Sequence, residues 1–240
     1  MTTCPRAAVV QLCADLDVQR NLDRAATLVR RAVDLGADLV LVPENFCLIG
    51  GLDKKVGIAE PLSESAPGPI LGFMKRLAKD LSTPLVIGSM PTQSDDPARC
   101  RNTTVVLDDT GAIVATYHKI HLFDVHDIPG VKMLESASVQ SGEIPVVAET
   151  AFGMLGLSIC YDLRFPVLYR RLVDLGAEII TIPAAFTERT GRDHWEVLLR
   201  ARAIESQCYV VAPNQVGVHF AARASYGHSM IIDPWGTVLA

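Results

Sequence analysis

Three side chains in this 240-residue sequence have the chemistry to act together on a carbonyl. Cys160 stands in GMLGLSICYDLRFP, residues 153–166, where a buried strand ends and a helix begins. A thiol at such an elbow faces turn N–H groups and the positive helix end. That setting biases it toward thiolate and puts an oxyanion donor beside it. Taken alone, the same cysteine reads equally as an inert core thiol. Ser158 is a rival nucleophile, but Cys160 occupies the place of the closing glycine in a G-x-S-x-G elbow, so the serine turn lacks its small residue. Lys119 lies in YHKIHLF, residues 117–123; strand alternation puts it on one face with His121 and turns His118 away. It is either an ordinary surface cation or a charge that depresses the thiol pKa and holds a tetrahedral oxyanion. Glu44 follows the apolar run at 39–42 and Pro43, as a solvated loop carboxylate or as a positioned general base.

The elements that must carry these residues alternate along the chain. Buried strands are expected at 6–12, 39–42, 85–89, 145–148, 154–159, 179–182, 209–212 and 228–232, and helices at 18–35, 69–81, 166–175 and 193–207. Residues 102–117 read as two strands hinged at Asp108-Asp109-Thr110-Gly111, whose glycine supplies a positive φ. Residues 124–143 read as loop. No linker or low-complexity segment divides the chain, so residues 1–240 are expected to form one domain.

An internal repeat says more than the separate elements. Residues 30–46 (RRAVDLGADLVLVPENF) align without gaps on 170–186 (RRLVDLGAEIITIPAAF), with nine identities in seventeen positions. Both copies spell helix, glycine stop, buried strand, proline, which predicts two related helix-strand units packed as layers about one core. Convergence of any helix-glycine-strand joint on such residues is the plainer alternative. The copies differ where Glu44 is replaced by Ala184, and a core joint has no need of that carboxylate.

Together, Pro43-Glu44-Asn45, His118-Lys119-Ile120-His121 and Ile159-Cys160-Tyr161-Asp162 resemble, in order, the Glu-Lys-Cys motifs of the nitrilase superfamily of carbon-nitrogen hydrolases. The resemblance runs from the first strand to DPWG at 233–236. It implies an α/β fold, a four-layer α-β-β-α sandwich with pseudo-two-fold internal symmetry, in agreement with the repeat. It also implies a supporting glutamate, matched by Glu135 in Met133-Leu134-Glu135-Ser136. The segments 185–187, 194–209 and 223–230 are most similar to the Nit branch, the amidases of deaminated glutathione. That likeness implies amide hydrolysis without a cofactor. Glu44 serves as general base and acid, Cys160 as nucleophile, and Lys119 with the Tyr161 backbone N–H as oxyanion donors, with Phe186 and Thr187 at the substrate. An ω-amidase of α-ketoglutaramate, a carbamoyl- or nitrile-hydrolase, a Cys-His hydrolase using His118 or His121, and a non-catalytic binding protein of the same fold are the alternatives. The sequence departs from the branch at Val167, where relatives often carry an acidic residue. It also ends at Ala240, where relatives usually continue with a segment that supports a homodimer, the assembly the resemblance implies.

Composition excludes other classes. A net charge of −5, with 20% charged and 49% apolar residues and no basic run longer than two, argues against a nucleic-acid groove or a polybasic membrane patch. No apolar stretch is long enough to span a bilayer, and the first sixteen residues lack a secretion signal, so a cytoplasmic location is expected. Most of the six scattered cysteines are then expected as free thiols. His118, His121, His126 and Asp127 match no metal-ligand spacing, so no metal is expected. Glu196 and Arg200 form an i,i+4 pair, and Arg202, on the Trp195 face, is expected in a buried ion pair.

Overall fold

In α1 (Val18–Asp34), Leu22, Ala25, Ala26 and Val29 recur at helical spacing and form its buried face, while the Asp17 carboxylate accepts the Arg20 N–H at 3.0 Å to cap its start. The computed structural model describes residues 5–128, 131–220 and 223–240. Before α1 comes β1 (Ala7–Val9), and after it β2 (Leu39–Leu41), α2 (Leu52–Gly57), α3 (Pro69–Leu81), β3 (Leu85–Gln93), β4 (Cys100–Leu107) and β5 (Ile113–His118). A short hairpin, β6 (Asp124–Ile128) and β7 (Val131–Leu134), leads to β8 (Val147–Thr150), β9 (Gly153–Leu157), α4 (Pro166–Asp174) and β10 (Ile179–Thr181). The chain finishes with α5 (Glu188–Ser206), β11 (Tyr209–Ala212), the hairpin β12 (Val216–Phe220) and β13 (Arg223–Tyr226), and β14 (Met230–Ile232).

Two five-stranded sheets result, ordered β1-β2-β3-β4-β5 and β14-β11-β10-β9-β8. Each contains a parallel trio, β1-β2-β3 or β9-β10-β11, followed by an antiparallel strand, β4 or β14. Strand alternation assigns the layers. Leu39 and Leu41 share one hydrophobic cluster with Leu155, Ile180 and Val210 of the second sheet and with Leu172 and Leu199 of α4 and α5. Val40 and Val42 point the other way, into a cluster with Val29 of α1 and Met74 of α3. The order is therefore helices, sheet, sheet, helices, the α-β-β-α sandwich expected from the repeat.

The repeat is pseudo-symmetric down to single hydrogen bonds. Gly36 and Gly176 adopt φ of +87° and +91°. Their amides bond to Val33 and Val173 carbonyls at 2.8 and 2.9 Å, and the next amides, Ala37 and Ala177, both reach 3.0 Å to Ala32 and Leu172.

Several elements depart from the sequence reading. Residues 124–128 and 131–134 pair as antiparallel strands rather than loop, because the polar strand DVHDI carries no clean alternation; the side chains of His126 and Asp127 lie outside the described residues, as does Cys4. The β12–β13 hairpin and α2 were likewise not read from the sequence. Helix α5 starts at Glu188, five residues before the expected 193, because Gly191 does not break it. A Cβ there would sit 2.3 Å from the Tyr226 Cβ, so the glycine admits β13 against the helix. Strand β5 stops at His118, so Lys119 and His121 do not share a strand face. Arg202 is buried as expected, pairing with Glu205 and donating to the Leu163 carbonyl at 2.8 Å, and Arg200 lies 3.8 Å from Glu196. Among the described residues, no helix is long and apolar enough to cross a membrane.

Candidate active site

The two repeat joints, each ending in a proline, meet at the centre of the molecule. Gly88 of β3 lies between them: a Cβ there would fall 1.8 Å from the Val42 carbonyl oxygen and 2.6 Å from the Pro183 Cβ. The second joint positions residues contributed by other segments. The Pro183 carbonyl accepts the Cys160 N–H at 2.9 Å, and the Ala185 N–H donates to Glu44 Oε2 at 2.8 Å. The first joint supplies Glu44 itself. Its backbone carbonyl is held by Gln215 Nε2 at 3.1 Å, and the next residue, Asn45, adopts φ +54° with its N–H on Ser89 Oγ.

Strand β9 ends at Leu157, and Cys160 opens a 3-10 turn over Cys160–Arg164 with φ +49°, the left-handed region that L-residues seldom occupy. Asp162 holds this elbow. Fully buried, its carboxylate accepts the Ile159 N–H at 2.9 Å, the Tyr117 hydroxyl at 2.7 Å and the His121 N–H at 2.9 Å, and meets His121 Nδ1 at 2.7 Å.

Lys119 is 2% exposed and lies 2.9 Å from both Glu44 Oε1 and Glu135 Oε2. Asn102 Nδ2 also touches both carboxylates, at 2.9 Å from Glu44 and 3.3 Å from Glu135, while Glu135 Oε2 takes the Phe123 N–H at 2.7 Å. The Cys160 thiol lines the same cavity as Glu44, and the two groups interact electrostatically. Glu44, Lys119, Glu135 and Cys160 line a narrow cavity of about 30 Å³, together with Lys55, Thr187 and Arg223.

The electrostatics correct one expectation. Burial pushes the Cys160 pKa up, the Glu44 charge pushes it further, and Lys119 opposes them without prevailing, so the resting thiol is protonated rather than thiolate. Burial also acts to raise Glu44, but Lys119 and then Lys55 outweigh it, and Glu44 sits well below the usual carboxylate range. Lys119 is disfavoured by burial yet held charged by Glu135 and Glu44. The site is thus a neutral thiol facing an ionised base, with an ammonium beside both.

Of the residues expected at the site, Glu44, Lys119, Cys160, Glu135 and Thr187 converge on the cavity. Tyr161 follows Cys160 in the first turn of its 3-10 helix, where an amide has no partner within the helix. Phe186 does not line the cavity: it is 4% exposed, packs on Trp195 at 5.0 Å and lies under the Arg164 guanidinium. Val167 is on the surface in the first turn of α4. His118 bonds to Thr103 Oγ1 at 2.8 Å, and His121 stacks on Phe165 at 3.7 Å. Neither lines the cavity, so neither His118 nor His121 pairs with Cys160 there. Asn102, Lys55 and Arg223 were missed as functional residues. For Asn102 a signal existed, since Arg101-Asn102-Thr103-Thr104 opens a buried strand with four polar residues.

Fold and family together define the class, a hydrolase of carbon-nitrogen bonds other than peptide bonds. Residues 6–240 match the carbon-nitrogen hydrolase family, and the chain belongs to it. It is 43% identical to a deaminated glutathione amidase of Synechocystis over 98% of this chain and 86% of that protein. To the deaminated glutathione amidase of Homo sapiens it is 46% identical, over 98% of this chain and 72% of that one. The crystal structure of the C. elegans NitFhit protein superposes with a TM-score of 0.87 at 40% identity, covering 97% of this chain and 56% of that longer one. As a hydrolase, the chain is not a non-catalytic binding protein.

Proposed function

We propose that this enzyme hydrolyses deaminated glutathione to α-ketoglutarate and cysteinylglycine through an acyl-thioester on Cys160. The observation that carries the catalytic part is the convergence of Glu44, Lys119 and Cys160, from three distant segments, on one cavity. The substrate follows the names of the relatives.

Glu44 takes the thiol proton as the sulfur attacks the amide carbonyl carbon. The ammonium of Lys119 has three N–H groups; two are committed to Glu44 and Glu135, and the third serves the oxyanion together with the Tyr161 N–H. Glu135 is a positioning residue that fixes Lys119. The tetrahedral adduct collapses as Glu44 returns the proton to the leaving nitrogen, breaking the C–N bond. Glu44 then takes a proton from water, whose oxygen attacks the thioester carbon, and the thiol is regenerated as the acid leaves. Thr187 contacts substrate from the cavity wall. Residues 1–240 act as one hydrolase domain, supported by the hydrophobic cluster that joins both sheets.

A homodimer belongs to the same proposal, supported by exposed Val197 and Ile204 on α5 and Trp235 beside it. Sedimentation of a dimer that Val197→Glu splits is the expected result. A cytoplasmic location is supported by the free thiols of the described cysteines, which suit a reducing compartment.

The test is α-ketoglutarate release from deaminated glutathione and from α-ketoglutaramate by wild type and Cys160→Ala. Faster turnover of deaminated glutathione, lost in the variant, is expected. Preference for α-ketoglutaramate makes the enzyme an ω-amidase with the same mechanism.

A further inference from the structure

Glu44, Lys119, Glu135 and Asn102 close a ring of hydrogen bonds. On one side Lys119 Nζ lies 2.9 Å from Glu44 Oε1 and 2.9 Å from Glu135 Oε2. On the other, Asn102 Nδ2 donates to the same Glu44 Oε1 at 2.9 Å and to Glu135 Oε1 at 3.3 Å. The Asn102 carbonyl also accepts the Lys119 N–H at 2.9 Å, so one residue near the start of β4 holds the lysine backbone and both carboxylates that flank its ammonium. Carboxylates only accept, so the amide can face them only with its nitrogen. That orientation is unfavourable for its other end. Asn102 is 3% exposed, and its Oδ1 has no hydrogen-bond partner among the described residues. An unpaired buried acceptor costs stability, so the role of this amide lies in what its nitrogen does.

Each oxygen of a carboxylate has about two acceptor positions. In Glu44, Oε1 fills both, with Lys119 and Asn102, whereas Oε2 fills one, with the Ala185 N–H at 2.8 Å. The open position is therefore on Oε2. The segment that holds Oε2 also holds the Cys160 backbone, since the Pro183 carbonyl, two residues before Ala185, accepts the Cys160 N–H at 2.9 Å. We propose that Asn102 is a positioning residue that directs the proton: by occupying the second acceptor position of Glu44 Oε1, it leaves Oε2 to take the proton from Cys160 and give it to the leaving nitrogen. This rests on the reading of Glu44 as general base and acid. As sulfur bonds to the carbonyl carbon, the S–H bond breaks, the proton bonds to Oε2 and the carbonyl π pair moves onto oxygen. In the collapse the Oε2–H bond breaks, the nitrogen lone pair takes the proton, the C–N pair leaves with nitrogen and the C=O bond re-forms. Without the Asn102 donor, Oε1 has an open position beside Glu135, and a proton held there is out of line for both transfers.

Glutaramate and mono-p-nitrophenyl glutarate share an acyl part and differ in leaving group: ammonia leaves only with a proton, p-nitrophenolate without one. The ratio of their kcat/KM values reads proton delivery, which a purely structural loss would not move. Asn102→Leu, close to the amide in size but without a donor, is expected to lower kcat for the amide about 10²-fold with little change in KM, and ester turnover less than about fivefold. Asn102→Asp supplies a donor only while its carboxyl is protonated. That carboxyl would face Glu44, Glu135 and Lys119, with Lys55, Arg223 and Cys160 also on the cavity. Its amide-to-ester ratio is expected to rise about fivefold or more from about pH 8 to about pH 5, against a nearly constant ratio in wild type. Iodoacetamide alkylation of Cys160, followed by peptide mass, reads removal of the thiol proton without turnover and is expected to slow in Asn102→Leu as in Glu44→Gln. Wild-type ratios in both Asn102 variants, or alkylation of Asn102→Leu at the wild-type rate, overturn the proposal. A Glu44→Gln enzyme that hydrolyses the amide and is alkylated like wild type overturns the general-base reading instead.

Discussion

Cys160 and Glu44 are buried side by side with their proton affinities pushed apart, the thiol upward and the carboxylate downward. The proton therefore rests on sulfur, next to the carboxylate proposed to remove it when the carbonyl arrives. Glu44→Gln is expected to lower kcat by about 10²–10⁴, the range typical of a lost general base. Steady-state hydrolysis by the purified variant checks it.

The same pairing sets a pH signature. Ultraviolet absorbance of wild type minus Cys160→Ser is expected to show no thiolate step below pH 9. A step near pH 6 to 7 contradicts the protonated resting state. Stability follows by linkage. The folded pKa of Glu44 is depressed, so its contribution is present above about 4.5 and is lost as pH falls through the lower folded value. Lys119 and Cys160 are raised, so their contributions hold below the unfolded values of 10.5 and 9.0 and fade as pH rises. Thermal unfolding between pH 3 and 5 is expected to be less pH-dependent in Glu44→Gln than in wild type.

Lys119→Met leaves two buried carboxylates without their counter-ion, and a loss of about 3–5 kcal/mol is expected. Adding Glu135→Gln is expected to restore part of that stability without restoring activity, since the ammonium stays absent. Urea unfolding of the single and double variants, alongside kcat, separates the two effects.

Asp162 sits two residues after Cys160 and binds the amide one residue before it. Asp162→Ala removes an acceptor shared by Ile159, Tyr117 and His121 and is expected to cost about 2–4 kcal/mol, from two or more buried donors left unpaired at about 1–3 each. Asp162→Asn, which keeps shape and part of the acceptor capacity, is expected to fold and to lower kcat more than it raises KM. A drop in stability without a kcat-specific loss would assign Asp162 to folding alone.

Gly88→Ala is expected to destabilise by about 1–3 kcal/mol or more, because its Cβ meets backbone, which moves less readily than a side chain. The joint it would push carries Glu44, so activity is expected to fall further than stability in an assay of the remaining folded enzyme.

Local patterns were legible without a structure. Helix α3 occupies residues 69–81 as its periodicity and Pro69 start require, and the gapless repeat foretold two matched helix-strand units that end in equivalent glycine turns. Glu44, Lys119, Cys160 and Glu135 were legible because their flanking residues form motifs. The hairpin at 124–134 was not, since its polar strand depends on partners across the ladder rather than on its own alternation.

The tertiary structure alone decided the charge state of Cys160 and the company of Lys119. Helix-end and lysine arguments made the thiol a thiolate; burial and a carboxylate from a segment 116 residues away made it neutral. Lys55 and Arg223 carry no chemical signal in their own segments, and only folding brings them to the cavity. Hydrophobic periodicity and turn chemistry act between near neighbours, so sequence determined them. Proton affinity and charge balance act through space and depend on how much water remains, so only the packed molecule could settle them.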